Sequence, residues 1–277
     1  MNESICYQTI TSQQIYLNSA LCEIYLNGIY KSNVAFFFQD PIDIGSNTIE
    51  TKISVVNAQI PCSFYLINSS NNQLNIQISG TTTTYTFPNG NYNVNTFIKQ
   101  WNTTIGSEWT VTFNTITNNY TFVYSSNFTF SDSGIKSIFG IIGFQFGSSY
   151  ASFNNSLTSF YCVNFGGITK LNVKSSAFNS QNIDSITGSI GRTLASIPVS
   201  SNQNGYIFYE NFTNYKNICN NRSLNTINIE ITDDFNNYIN FNNADWSMTL
   251  QIDILHEVIS DYDTIDDIYN KEKRLIK

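Results

Sequence analysis

The chain has 277 residues, of which 12% are charged and 15% aromatic, with a net charge of −7 and a pI near 4.6. Nucleic-acid binding relies on phosphate neutralisation by Lys and Arg, and no basic block precedes the last few residues, which argues against a genome-packing role for this chain alone. No apolar run approaches the ~20 residues of a membrane-spanning helix, the nearest being Ile138–Phe144.

The length suits one large all-β domain or two small ones. Aromatic and β-branched side chains fit a pleated surface, and the abundant Asn and Ser fill turns by bonding to nearby backbone. Cys6, Cys22, Cys62, Cys162 and Cys219 are odd in number, widely spread and without a CxxC. They read as small buried side chains in a reducing compartment, neither a disulfide framework nor a zinc site. No signal-peptide pattern is expected at the start, so the Asn-X-Thr sequons read as chance matches in an Asn- and Thr-rich chain.

Met1 to Ser32 carries short apolar pieces at Ile15–Leu17 and Ile24–Leu26. It reads either as an arm lying along a neighbour or as a first strand pair. Val34–Phe38 is a strand ended by Asp40-Pro41. Thr51–Asn68 is the longest run of strand formers. Its alternation slips at its middle: Ile53 and Val55 share one face, then Val56, Ala58 and Ile60 take the other. The slip predicts a bulge, and Pro61 predicts a corner or edge before the strand resumes over Phe64–Ile67.

Leu74, Ile76 and Ile78 alternate with polar residues, and Thr83–Phe87 follows as a further strand. Val94, Phe97, Ile98 and Trp101 recur at helical spacing behind Asn93, which can cap a short helix. Trp109–Phe113 and Tyr120–Tyr124 form the clearest hairpin, around Thr115–Asn119, and Phe128 and Phe130 continue the strands. Gly134–Gly143 reads as a second short helix with Ile135, Ile138, Phe139 and Ile142 on one face. Phe144–Ser159 and Ser175–Arg192 read as polar loops, with a strand at Ile168–Val173 between them. Leu194–Val199 and Gly205–Tyr209 are strands around a polar turn. After Ile227–Ile231 and a turn from Asp233-Asp234, Trp246 to Ile254 forms the longest clean alternation and is expected at a sheet centre. Ser260–Lys277 runs from acidic to basic, as a helix macrodipole favours, and reads as a helix or a solvated tail.

Many short strands, polar turns and no βαβ rhythm leave a sandwich, jelly roll or barrel. Catalytic chemistry has few candidates. His256 is the only histidine, so any His-based triad would need it, and it reads as a surface residue at a strand end. Adjacent carboxylates at Asp233-Asp234 and Asp266-Asp267 point to opposite faces of a strand, which suits turns and caps better than glycoside hydrolysis. Calcium at the Asp233-Asp234 loop is the weaker alternative. Gly188-Ser-Ile-Gly191 lacks the lysine and the strand-to-helix context of a phosphate loop. The chain is therefore read as no enzyme, with catalytic, cofactor-binding and metal residues all none, and no cofactor.

Several stretches resemble the minor capsid (penton) proteins of giant DNA viruses of the mimivirus type and their virophages. They are Ile15-Tyr-Leu-Asn18, Leu26–Asn33, Thr51–Pro61 followed by Ser63–Asn68, and Asn89–Asn93. Phe139-Gly-Ile-Ile-Gly-Phe144, Ile197-Pro-Val199, Gly205–Phe212 and Asn240–Gln251 continue the set in order. The loop Ser175–Arg192 and the tail after Asp253 match least. The resemblance implies an all-β single jelly-roll β-sandwich with elaborated loops and two short helices. It divides the chain into an N-terminal arm (1–33), a jelly-roll capsid domain (34–256) and a charged C-terminal tail or helix (257–277).

It further implies a structural virion protein, homopentameric at the icosahedral vertices among double-jelly-roll major capsid trimers, with a vertex fibre as a further partner. Assembly in the host cytoplasm would account for free cysteines. No nucleic-acid contact and no membrane span are expected. The alternative reading is a receptor- or carbohydrate-binding β-sandwich, such as a spike or fibre head.

Overall fold

A computed structural model describes residues 5–24, 30–43, 48–178, 191–219 and 223–260. The chain forms two compact units, one from Met1–Ser63 with Lys170–Lys277, the other from Phe64–Thr169. The first unit opens with β1 (Ile5–Asn18), a 3-10 turn (Ser19–Leu21), β2 (Glu23–Ile24), β3 (Asn33–Asp43) and β4 (Thr48–Pro61). The second holds β5 (Gln73–Ile78), β6 (Thr81–Thr86), α1 (Val94–Thr104), β7 (Thr110–Asn114), β8 (Asn119–Val123) and β9 (Phe128–Ser131). It ends with α2 (Phe139–Ile142), β10 (Ser149–Ala151) and β11 (Ser156–Thr158). The first unit then resumes with β12 (Lys170–Lys174), β13 (Thr193–Pro198), β14 (Tyr206–Glu210), β15 (Asn217–Cys219), β16 (Ser223–Thr232) and β17 (Ser247–Ser260).

Two sheets make the first unit: β1-β17-β4-β14, with β15 continuing beside β4, and β13-β12-β16-β3-β2. Take its eight main strands in chain order as β1, β3, β4, β12, β13, β14, β16 and β17. The first then pairs with the eighth, the second with the seventh, the third with the sixth and the fourth with the fifth, always antiparallel. That nesting is one long hairpin rolled into two layers, which is a jelly roll. Inward positions fill the core: Ile15 and Leu17, Ile53, Ala58 and Ile60, and Met248, Leu250 and Ile252 from one sheet, Leu171, Val173, Ile227 and Ile229 from the other. Trp246 closes one end, with its indole N–H donating to the Lys31 carbonyl at 2.7 Å and its ring edge-on to Phe36.

The bulge expected in β4 is present. Thr249 pairs with Asn57 and Leu250 with Val55, leaving Val56 as the extra residue. The extra residue restores the phase, so Ala58 and Ile60 return to the buried side with Ile53 and Val55 instead of facing the other way. Pro61 ends the strand opposite Tyr206. Phe64–Ile67 is not a strand; only Ile67 bridges, to Gly90. β17 lies centrally between β1 and β4, as its long alternation predicts.

The expected domain boundaries do not survive. β1 pairs with β17 along its whole length and buries Ile15 and Leu17, so this stretch is a sheet strand and not an arm. Among the described side chains of β1, from Thr9 to Asn18, two point inward, which is why the segment looked peripheral. β17 runs on to Ser260, past the expected boundary at 256/257. The 34–256 span holds parts of two units rather than one domain. The C-terminal helix or tail beyond Ser260, and residues 179–190 of the loop Ser175–Arg192, lie outside the described residues.

The second unit packs a four-stranded sheet, β10-β9-β5-β6, and a three-stranded one, β11-β8-β7, around aromatic rings. Trp101 is buried at the centre, 4.6 Å from Phe122 and 5.7 Å from both Trp109 and Phe130 between ring centroids. α1 begins where Asn93 predicts, its side chain accepting from the Asn95 and Thr96 N–H groups while the Thr96 hydroxyl accepts from the Asn93 N–H. α2 is one turn, shorter than expected, because Gly134–Ser137 closes a turn of its own and leaves Ile135 in solvent. The loop after Phe144 is less irregular than expected, since it contains β10 and β11. The strands β13 and β14, read as neighbours around a turn, lie in different sheets.

Candidate interaction surfaces

The residues weighed for chemistry are occupied with structure. The Asp233 carboxylate accepts from the Phe235 and Asn237 N–H groups, both at 2.8 Å, and so builds the turn. Asp234 pairs with Lys170 at 2.8 Å, and that hydrogen-bonded ammonium holds its carboxyl below the ordinary value. Each carboxylate thus has its own partner, and among the described residues no group of three or more His, Cys, Asp or Glu could hold a metal. His256 sits on β17 between Thr9 and Thr48, half-buried. Asp266-Asp267 and all but Gly191 of the Gly188–Gly191 stretch lie outside the described residues.

The cysteines are not uniformly buried. Cys62 is buried, Cys22 is partly so, and Cys162 is exposed, all three as free thiols. Burial pushes the Cys62 and Cys22 thiols up, which keeps both protonated and unreactive near neutral pH.

The outer face of the first sheet carries a charged pocket of about 300 Å³, lined by Ile10, Ser12, Lys52, Lys216, Asp253 and Leu255 among others. Asp253 is its centre. Lys216 pairs with it at 2.7 Å, the Gln251 amide donates to it at 2.8 Å, and the Ser12 hydroxyl donates to it as well. Burial raises its pKa, but these hydrogen bonds and the Lys216 charge outweigh burial and leave it lowered. Glu50 and Lys52 pair at 2.7 Å alongside. The positive and negative groups match, so the pocket offers no spare charge to a ligand, and its hydrogen bonds join β1, β17 and the segment before β15.

Apolar exposure is a stronger sign of contact. On β14, an edge strand, Tyr206 and Phe208 point outward with ring centroids 6.5 Å apart, and Phe212 follows at 85% exposure. β1, at the opposite edge of that sheet, is fourteen residues without a charge or a proline, and it shows Ile10 and Tyr16 to solvent. Long uncharged edges are templates for pairing unless protected. In the second unit, Phe146, Phe160 and Tyr161 are exposed around Tyr150.

No protein-family model and no curated protein matches the chain. Among solved structures it is similar to the mavirus penton protein, with 12% identity, 90% of this chain and 100% of that one covered, and a TM-score of 0.46. It is similar also to a chain in the structure of the Sputnik virophage, with 13% identity, coverage of 88% and 98%, and a TM-score of 0.41.

Sequence reading missed the Asp253 cluster, because Ser12, Lys216 and Asp253 are brought together only by strand pairing across the whole chain. It also missed the exposed rings. Phe160-Tyr161 carries no periodicity, and the only local signal was two consecutive aromatics in a Ser- and Asn-rich stretch.

Proposed function

We propose that this chain is a structural virion protein, a penton-type minor capsid subunit. The observation that carries the reading is the nested pairing of eight strands, first with last inward to fourth with fifth. Jelly rolls of this kind serve viral capsids, lectins and cupins. A cupin-type metal centre draws on several histidines, and this chain has one. The ordered motifs from Ile15 to Gln251 favour the capsid use. The proposed assembly is a homopentamer at icosahedral vertices, beside major capsid trimers, in particles put together in the host cytoplasm.

A five-fold ring needs a heterologous interface, in which two different patches of one chain meet. The two edges of the first sheet supply a candidate pair. Because each neighbour in β1-β17-β4-β14 is antiparallel, β14 runs opposite to β1. Rotation about an axis along the strands would bring the next copy's β1 against β14 antiparallel, in keeping with the sheet. Mass measurement on the purified chain, with imaging of particles, tests the reading. A mass of five chains and density at vertices are expected. A monomer at high concentration that never joins particles would sink it.

A further inference from the structure

Phe146, Phe160 and Tyr161 are 60%, 67% and 56% exposed, yet the Phe146 and Phe160 rings rest on neighbours and the Tyr161 backbone is hydrogen-bonded on both sides. The Phe146 ring lies over Gly140 in α2, where an added Cβ would come within 2.8 Å of it. Its loop is tied down on both sides: the Asp132 carboxylate accepts from the Gly147 N–H, and the Tyr150 hydroxyl accepts from the Gln145 N–H. Phe160 lies against Tyr150, with ring centroids 4.9 Å apart and 37° between planes, and Tyr150 packs in turn on the buried Phe144. The Tyr161 N–H donates to the Gly143 carbonyl at 3.0 Å, and the Tyr161 carbonyl accepts from the Asn119 amide at 2.8 Å. Ordering rings that stay in water costs entropy and gains little burial. The exposed but seated Phe160 and Phe146 rings therefore mark a contact site.

Charge selects what it contacts. The 106 residues of Phe64–Thr169 hold four charged side chains, Lys99, Glu108, Asp132 and Lys136, against 29 in the rest of the chain. The four cancel, and Asp132 is already engaged with backbone. A nucleic acid, an anionic membrane or a sulfated sugar would find two lysines matched by two carboxylates, and no net countercharge. A neutral sugar needs none. Its C–H faces stack on aromatic rings, and its hydroxyls exchange hydrogen bonds with amides and hydroxyls. Gln145 and Ser149, next in the chain to Phe146 and Tyr150, are exposed and offer both. We propose that the Tyr150–Phe160 ring pair, with Phe146 beside it, binds uncharged, hexose-based glycans. The inference concerns this unit alone and does not rest on the capsid reading.

The test is titration of the full chain with neutral glucan, mannan and galactan fragments, beside sialylated and sulfated glycans. At least one neutral glycan should bind with a Kd of about 10 μM to 1 mM. Affinity should hold from about 0.05 to 0.5 M salt, since a neutral ligand gives screening no charge pair to act on. Phe160→Ala or Phe146→Ala should weaken binding about tenfold or more, whereas Phe208→Ala in the other unit should leave it intact. Should Phe160→Ala melt early, Phe160→Leu, apolar but without an aromatic face, gives the same reading. No neutral glycan bound at about 10 mM, a preference for anionic glycans, binding that follows salt, or undiminished binding by the Phe160 variants overturns the proposal.

Discussion

Gly143 ends α2 in the left-handed region, with φ of 83°, and a Cβ there would collide with the Tyr161 carbonyl. One position thus combines backbone strain and close approach. Gly143→Ala should cost about 1–2 kcal/mol from conformation alone, with the collision added. Urea denaturation of the purified chain measures it, and a variant as stable as the natural chain would refute this account of Gly143. The sequence offered Phe139-Gly-Ile-Ile-Gly-Phe144 as a helix face and as a matching motif. Neither reading foretold that Gly140 lies under the outward-facing Phe146 ring and that Gly143 admits the Tyr161 carbonyl, because both approaches depend on how the chain folds back.

Asp253 shows what one carboxylate does for three elements, accepting from Ser12 in β1, from Gln251 in β17 and from Lys216 ahead of β15. Its pKa is depressed below the ordinary 3.8, so the stabilisation is present above that value and is lost as pH falls through the lowered one. The natural chain should therefore weaken below about pH 4. Asp253→Asn should be less stable at neutral pH and flatter over the acid range, as urea midpoints from pH 2 to 6 would show. Equal acid slopes for both chains would refute the assignment. Among elements, the helix at Asn93 and the hairpin around Thr115–Asn119 were legible because capping and alternation are local. The β4 bulge was legible as a slip at Val55-Val56, but its consequence was misread. Whether a bulge reverses a face or restores it depends on the register with β17, which no local window contains.

The whole molecule was the least legible scale. Nothing in composition marked Phe64 or Thr169 as a border except the drop in charged residues, which passed unused. Among the described residues, the aromatic core around Trp101 draws on residues between Leu66 and Phe165. A unit with its own core can fold alone. Residues 64–169 expressed separately should unfold in one cooperative transition and keep near-ultraviolet circular dichroism from the ordered Trp101 and Trp109. A segment without fixed tertiary signal would show that its core needs the rest of the chain.

The insertion enters between the third and fourth of the eight nested strands, at the link from β4 to β12, and splits none of the four strand pairs. Buried positions of the roll and those of the insert are separate sets. A lineage could trade one insert for another by recombination at that link and keep the roll's strand registers unchanged.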